Sequence, residues 1–356
     1  MPDTTLNQLQ QYKPLIINQL NTFIAKKSPQ FSQVNEWGSD TLERLLEFSK
    51  NGKMIRGALL LFSTEMFGRK ITAEHMKAAA ALELIQSAIL IHDDIIDQDA
   101  LRRGKPAMHT QFQAIGINRK STNPVQFGIS LAICAGDVGF FLAFELLYSL
   151  TVSPETKTRI TKLVLEEIQL VELAQMQDVF FSATSKQIEE TEILKLYQFK
   201  TGRYTFSLPL TCAALFTKQP TQIITKITQL GEYLGILFQL KDDELSLFGT
   251  SKVTGKPVGT DISRNNKTLY HHYLFVLADS AQKKRLNTVF GNPNLSVKDM
   301  AFVQTLVNDL GINNLIRKQK QILERKAREI ISTLPVAPLH KEFLIALISY
   351  NQNRAK

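Results

Sequence analysis

Apolar residues recur at helical spacing along nearly the whole chain. Leu6, Leu9, Ile16, Leu20 and Phe23 mark one face of a helix over about residues 5–26, and residues 40–49 repeat the pattern. Asn51-Gly52-Lys53-Met54-Ile55-Arg56-Gly57 reads as a turn into an apolar helix over 58–67. Thr72 is placed to cap the next helix, with Glu74 and His75 in its first turn, and that helix runs to about residue 97. Residues 99–122 read as an irregular, basic connection. Pro124 opens a helix reaching about 149, and Ser153-Pro154 opens another over 154–182. Further helices are expected at 189–216, 220–248 and 263–279, with three more after 296. Alternating β-branched runs are few, so a sheet is not expected.

Composition supports the same picture. Glycine and proline are scarce (17 and 12 of 356 residues), which limits turns and favours long helices. No Pro/Gly/Ser linker divides the chain, so one all-α domain over 1–356 is expected, with a core large enough to bury an apolar channel. No run of uncharged apolar residues reaches the length of a membrane span, and MPDTTLNQLQQYKPL has no signal-peptide core, so no transmembrane segment is expected. Cys134 and Cys212 lie in apolar helical stretches without metal-site spacing. They are expected to be buried thiols in a reducing, cytoplasmic compartment. The net charge is +9, but the basic residues are dispersed and not interleaved with aromatics. Nucleic acid is therefore not an expected partner; an anionic substrate drawn into a local pocket is.

Two acidic clusters carry the chemistry. Asp93, Asp94 and Asp97 follow the apolar run Ala88-Ile89-Leu90-Ile91, and Asp242-Asp243 follow Phe238-Gln239-Leu240-Lys241. Positions i and i+4 share a helix face, so Asp93 and Asp97 can hold one cation jointly, and like charges that close destabilise a helix without one. A solvated helix end would also tolerate such acids. The apolar run before them places them instead at the rim of a cavity. Mg²⁺ held by one or two carboxylates usually also binds phosphate. Suitable phosphate partners stand nearby: Arg102-Arg103-Gly104 follows the first cluster, and Lys53 and Arg56 sit on a Gly-flanked turn. Gly255-Lys256-Pro257 and Lys267 follow the second cluster. Lys200-Thr201-Gly202 interrupts a helix, either as a solvated kink or as a lysine aimed into the cavity.

Together these segments resemble the trans-isoprenyl diphosphate synthase (polyprenyl synthetase) family over roughly residues 45–275. GKMIRG is similar to its basic turn and QSAILIHDDIIDQDALRRG to its first aspartate-rich motif; KTG, FQLKDD and GKPVGTDI…NKTL follow in the family's order. The resemblance implies an all-α bundle around a deep central cavity, usually homodimeric. It implies condensation of isopentenyl diphosphate, head to tail, with dimethylallyl, geranyl or farnesyl diphosphate. Asp93, Asp94, Asp97, Asp242 and Asp243 would hold about three Mg²⁺ ions against the allylic diphosphate. Arg102, Lys200 and Lys256 would bind that diphosphate, with Lys267 nearby; Lys53, Arg56, Gln86 and Arg103 would bind isopentenyl diphosphate. Thr201 and Gln239 would face the developing allyl cation.

The family's second motif usually ends in a third aspartate, where this chain has Ser246; Glu244 points elsewhere on the helix, and Asp261 stands as a supporting acid. Product length in this family depends on bulk just before the first motif. Ala88 is small and lets the product grow past it; Ile89 stands beside it, and Ile85 and Leu82 lie deeper as a later floor. That points to geranylgeranyl diphosphate. Two other readings compete. A class I terpene cyclase shares Asp242, Asp243 and Ser246 but needs a glutamate where this chain has Thr250. A regulatory subunit of a heteromeric synthase would typically have lost aspartates that this chain keeps.

Overall fold

The structure, a computed structural model, describes residues 7–249 and 258–354. The described residues form an all-α protein, as expected. In chain order, α1 is Lys13–Ser32, α2 Trp37–Lys50, α3 Ile55–Met66 and α4 Ala73–Ile96. A two-residue ribbon follows, β1 Leu101–Arg102 paired antiparallel with β2 Lys105–Pro106. Next come α5 Met108–Asn118, α6 Pro124–Tyr148, α7 Pro154–Ala183 and α8 Glu190–Tyr197. A π-helical segment, Gln198–Ser207, leads into α9 Leu208–Phe216 and then α10 Thr221–Phe248. The remainder is α11 Thr260–Ser263, α12 Leu269–Leu277, α13 Ser280–Val289, α14 Val297–Asp309, α15 Ile312–Thr333 and α16 Pro338–Asn353.

The stretch read as irregular, 99–122, in fact holds the ribbon and α5. Met108, Phe112 and Gly116 recur there at i, i+4 and i+8 as the buried face of a short helix. The helix expected over 263–279 is split, because Asn265 takes a left-handed φ of 56° and ends α11.

Backbone contacts divide the chain into two compact units. One comprises the described residues of Leu6–Lys162 together with Cys212–Gln219. Its centre is α4, in which Ala78–Leu82, Leu84 and Ile85 are buried almost all round. Thr72 caps it as expected, its backbone N–H donating to His75 Nδ1 at 3.1 Å. Helix α6 packs on α4 and α5 through Gly128, Ala132, Ala135, Gly136 and Gly139. By length and composition alone α6 passes the test for a membrane span, an 18-residue window reaching a mean hydropathy of 1.9, as the core helix of a folded protein also can; it carries Asp137 and Glu145. Its outer face carries Ser130, Cys134, Asp137 and Glu145, so Cys134 is exposed rather than buried; Cys212 is buried.

The second unit comprises Leu163–Thr211 and the described residues of Pro220–Lys356. Its core joins α7, α8, α10, α12, α13, α14 and α15 through residues such as Ile193, Leu240, Leu269, Leu274, Leu286, Val303 and Ile312. The π segment lies directly on α10. A methyl group on Gly235 would sit 2.1 Å from Gly202 Cα, and one on Gly231 would sit 2.4 Å from Ser207 Cα. Glycine at 231 and 235 is what lets two backbones touch there.

Candidate active site

In the first unit, α4 presents a half-buried stripe: Gln86, Ile89, Leu90, Asp93 and Asp97. Asp93 and Asp97 thus share a face, as their spacing predicts. Asp94 points inward and is fully buried. Arg102 meets it from β1, with Nε donating to Asp94 Oδ1 at 2.6 Å and Nη2 also on Oδ1. The same Nη2 lies 3.3 Å from Asp93 Oδ2 and 3.7 Å from Asp99 Oδ2. Asp94 Oδ2 is buried with no hydrogen-bond partner. Burial outweighs Arg102 and lifts the Asp94 carboxyl from 3.8 to about 6.

Why the two arginines part ways is a matter of turn chemistry. Arg103 and Gly104 both have positive φ (53° and 74°), as the centre of a tight two-residue hairpin requires. Arg102 therefore turns to the aspartates, while the Arg103 guanidinium covers Gly52, where an added methyl would lie 3.2 Å from both Nη atoms. Arg103 Nη1 donates to Phe48 O at 3.2 Å. Burial and the neighbouring charges of Arg102 and Arg56 hold Arg103 below its usual value. Arg103 thus stands in the field of two other guanidiniums, an arrangement that favours an anion.

The basic turn is braced from two sides. Gln10 Nε2 donates to Lys53 O at 3.0 Å and Lys13 Nζ to Gly52 O at 2.8 Å. From α4, the buried carboxylate of Glu83 accepts from the backbone N–H of Gly57 at 2.8 Å and from that of Arg56. It caps the first turn of α3, where backbone donors lack helical partners. Burial raises the Glu83 carboxyl, opposed by those amides and by Arg56 and Arg103. Gln86, on the same helix, has a buried Oε1 without a hydrogen-bond partner.

The residues expected to set product length divide. Ile89 lies on the stripe with Asp93; Ile85, one turn earlier in the same row, is fully buried. Ala88 faces elsewhere: a methyl on Gly139 of α6 would lie 3.3 Å from Ala88 Cβ and 3.4 Å from Leu45 Cδ2.

In the second unit, Lys200 pairs with Asp178. Thr201 Oγ1 donates to Gln239 Oε1 at 2.7 Å, and Gln239 Nε2 donates to Asp243 Oδ1 at 2.9 Å. Asp243 also accepts from the Tyr197 hydroxyl. Asp242 is met by Arg354 Nη2 at 2.5 Å; this guanidinium stacks over Phe238, 3.7 Å from the ring centre. Burial and the nearby Asp261 carboxylate push the Asp243 carboxyl well above its ordinary value. Asp261 is held by Asn266 Nδ2 at 2.9 Å and by the Ser246 hydroxyl. Ser246 therefore orients an acid from α11. Glu244 pairs with Lys241 and Lys320, each at 2.5 Å, away from this group, as expected. Lys267 is buried, donating to Asn265 Oδ1 at 2.9 Å and lying 3.1 Å from His271 Nε2; burial lowers it to about 8. Lys256 lies outside the described residues.

Sequence reasoning missed Glu83, Asp178, Tyr197 and Arg354. Glu83 sits inside an apolar run that reads as plain core helix. Arg354 joins Asp242 across 112 positions and follows no motif.

A model of the polyprenyl synthetase family matches residues 36–307 and so runs across both units. The chain belongs to the polyprenyl synthetase family. It is a prenyltransferase. Among its relatives, a geranylgeranyl diphosphate synthase of Saccharolobus solfataricus is 28% identical over 80% of this chain and 81% of its own. A geranylfarnesyl diphosphate synthase of Aeropyrum pernix is 28% identical over 86% of this chain and 91% of its own. A crystal structure of geranylgeranyl pyrophosphate synthase from Corynebacterium glutamicum, complexed with isoprenyl diphosphate and magnesium, superposes with a TM-score of 0.90. It covers 97% of this chain and 99% of its own at 26% identity.

Proposed function

We propose that this enzyme condenses isopentenyl diphosphate, head to tail, with allylic diphosphates and stops at geranylgeranyl diphosphate. The observation that carries the reading lies in the first unit. Arg102 draws together Asp93, Asp94 and Asp99, leaves Asp94 Oδ2 without a hydrogen bond, and acts on Arg103, which also stands in the field of Arg56. One site for a metal-bound diphosphate and one for a second diphosphate is what a two-substrate condensation needs.

The donor chemistry of these residues suits Mg²⁺, while among the described residues no three acids stand together as a ready-made metal site. Buried carboxylates pushed up by burial and by one another are relieved by a divalent cation, and hard oxygen ligands suit Mg²⁺. Asp93, Asp94 and Asp97 would hold Mg²⁺ in the first unit and Asp242 and Asp243 in the second, about three ions in all. Bound Mg²⁺ would offset the charge that gathers on the leaving diphosphate. Arg102 pairs with Asp94 and Arg354 with Asp242, so each of these carboxylates already answers to a cation. Arg102 would donate to the allylic diphosphate from the first unit, and Lys200 from the second; Lys256 would have the same role. Lys53, Arg56, Gln86 and Arg103 hold isopentenyl diphosphate.

The Thr201 hydroxyl gives its proton to Gln239 and so keeps its oxygen lone pairs for a developing allyl cation. Fixed dipoles of this kind stabilise the cation, and exclusion of water protects it. The isopentenyl double bond attacks the cation, and the departed diphosphate takes the proton. Ile89, on the row of Asp93, is the residue best placed to limit product growth, with Ile85 beneath it; Ala88 contributes through its packing on α6.

The family match, which runs through residues 36–307, supports reading the chain as one isoprenoid synthase domain, and the protein works as a cytoplasmic homodimer. Support for pairing comes from the outward apolar row on α7, where Leu173, Met176 and Phe180 are 61%, 68% and 61% exposed. Asp93→Ala removes a carboxylate on which the leaving group depends. Turnover is expected to fall by at least about 100-fold; near-normal turnover would sink the metal assignment.

A further inference from the structure

We infer that Tyr197 is a positioning residue that holds Asp243 ready for its cation. The inference rests on the reading of Asp243 as a metal ligand. Tyr197 is the last residue of α8, immediately before the π segment that carries Lys200 and Thr201. Its hydroxyl oxygen accepts from the Leu269 N–H at 3.0 Å. A phenol has one proton, so that proton is left for Asp243 Oδ2. The other Asp243 oxygen accepts from Gln239 Nε2 at 2.9 Å, whose amide is oriented by Thr201 on its carbonyl side.

Both oxygens of Asp243 are therefore held by neutral donors. This separates it from Asp94 and Asp242, whose charge is answered by Arg102 and Arg354. A neutral donor fixes a carboxylate's direction without cancelling its charge, and each oxygen keeps a lone pair for a metal. The anchor is rigid as well. Leu269 N–H belongs to the first residue of α12, capped by Thr268 next to Lys267. One buried phenol thus ties together the element bearing Lys200, the helix bearing Asp243 and the turn bearing Lys267.

The test is a titration with Mn²⁺, read by electron paramagnetic resonance, in the presence of inorganic pyrophosphate. Wild type, Tyr197→Phe, Tyr273→Phe and Asp243→Asn are compared, with thermal unfolding recorded for each. Tyr273 is the control, because its hydroxyl also bonds a carboxylate, Glu190 Oε2 at 2.8 Å, away from the acidic cluster. Tyr197→Phe keeps the ring and removes only the anchor. It is expected to weaken the Asp243-dependent Mn²⁺ site by about 10-fold or more, as loss of an outer partner of a metal ligand does. The KM for isopentenyl diphosphate is expected to stay unchanged, and Tyr273→Phe is expected to leave Mn²⁺ binding alone. Wild-type Mn²⁺ affinity in Tyr197→Phe, with the site lost in Asp243→Asn, overturns the role of Tyr197 and spares the metal assignment. Wild-type binding in Asp243→Asn overturns the assignment itself. Equal weakening in both tyrosine variants means a general loss of stability and also overturns the inference.

Discussion

Replacing Asp94 with asparagine is expected to stabilise the metal-free protein while it destroys catalysis. Asp94 is fully buried, and its carboxyl is lifted from 3.8 to about 6 with the attraction of Arg102 already included. A carboxyl raised in the folded state binds its proton more tightly there than in the unfolded chain. The stability this confers is complete below about pH 3.8 and is lost as pH rises through about 6. Above that window the ionised carboxylate costs the fold up to about 3 kcal/mol relative to a neutral group. Asparagine has the same shape and does not ionise. Arg102 keeps Asp93 and Asp99 within 3.3 and 3.7 Å. At pH 7.5, without metal, Asp94→Asn is therefore expected to melt above wild type by up to roughly 4 °C for a chain of this length. The gap is expected to close below about pH 4. Adding Mg²⁺ with inorganic pyrophosphate is expected to raise the wild type more than the variant, reversing the order. The assay is thermal unfolding over a pH series, with and without metal. A variant that melts at or below wild type in metal-free buffer at pH 7.5 would refute the reasoning, as would a gap independent of pH.

Two further substitutions probe other parts of the site. Ile89→Phe adds bulk on the row of Asp93 and is expected to shorten the main product by at least one five-carbon unit, read by chromatography of the dephosphorylated alcohols; an unchanged product would place the floor elsewhere. Glu83→Leu keeps the volume but strands the Gly57 N–H at the start of α3. It is expected to cost about 1–3 kcal/mol of stability and to raise the KM for isopentenyl diphosphate. The KM for the allylic substrate is expected to hold; equal rises in both would place Glu83 outside the basic turn's support.

Most of the helices were legible because their buried faces repeat at helical spacing over many residues, as Ile16, Leu20 and Ile24 do in α1. Helix α5 was not, since its buried face is only three residues long within a polar stretch. The π segment leaves no period of its own; its sequence trace was Lys200-Thr201-Gly202, which read equally well as a solvated kink. The acids and their basic neighbours were legible because they cluster along the chain. Their supports were not, because the contacts are long-range: Glu83 reaches α3 across 26 positions, Tyr197 reaches Asp243 across 46 and Arg354 reaches Asp242 across 112. Ala88 illustrates a different gap. Counting back from Asp93 gives its position along α4, but only the approach of Gly139 shows which face the residue takes.

Acting alone with Mg²⁺, this chain is expected to extend allylic diphosphates to twenty carbons. Incubation of the purified protein with Mg²⁺, isopentenyl diphosphate and farnesyl diphosphate tests it directly. All-trans geranylgeranyl diphosphate is the expected main product, with none formed when the metal is chelated. A cyclic hydrocarbon made from the allylic substrate alone would contradict it, and so would elongation that appears only after a partner protein is added.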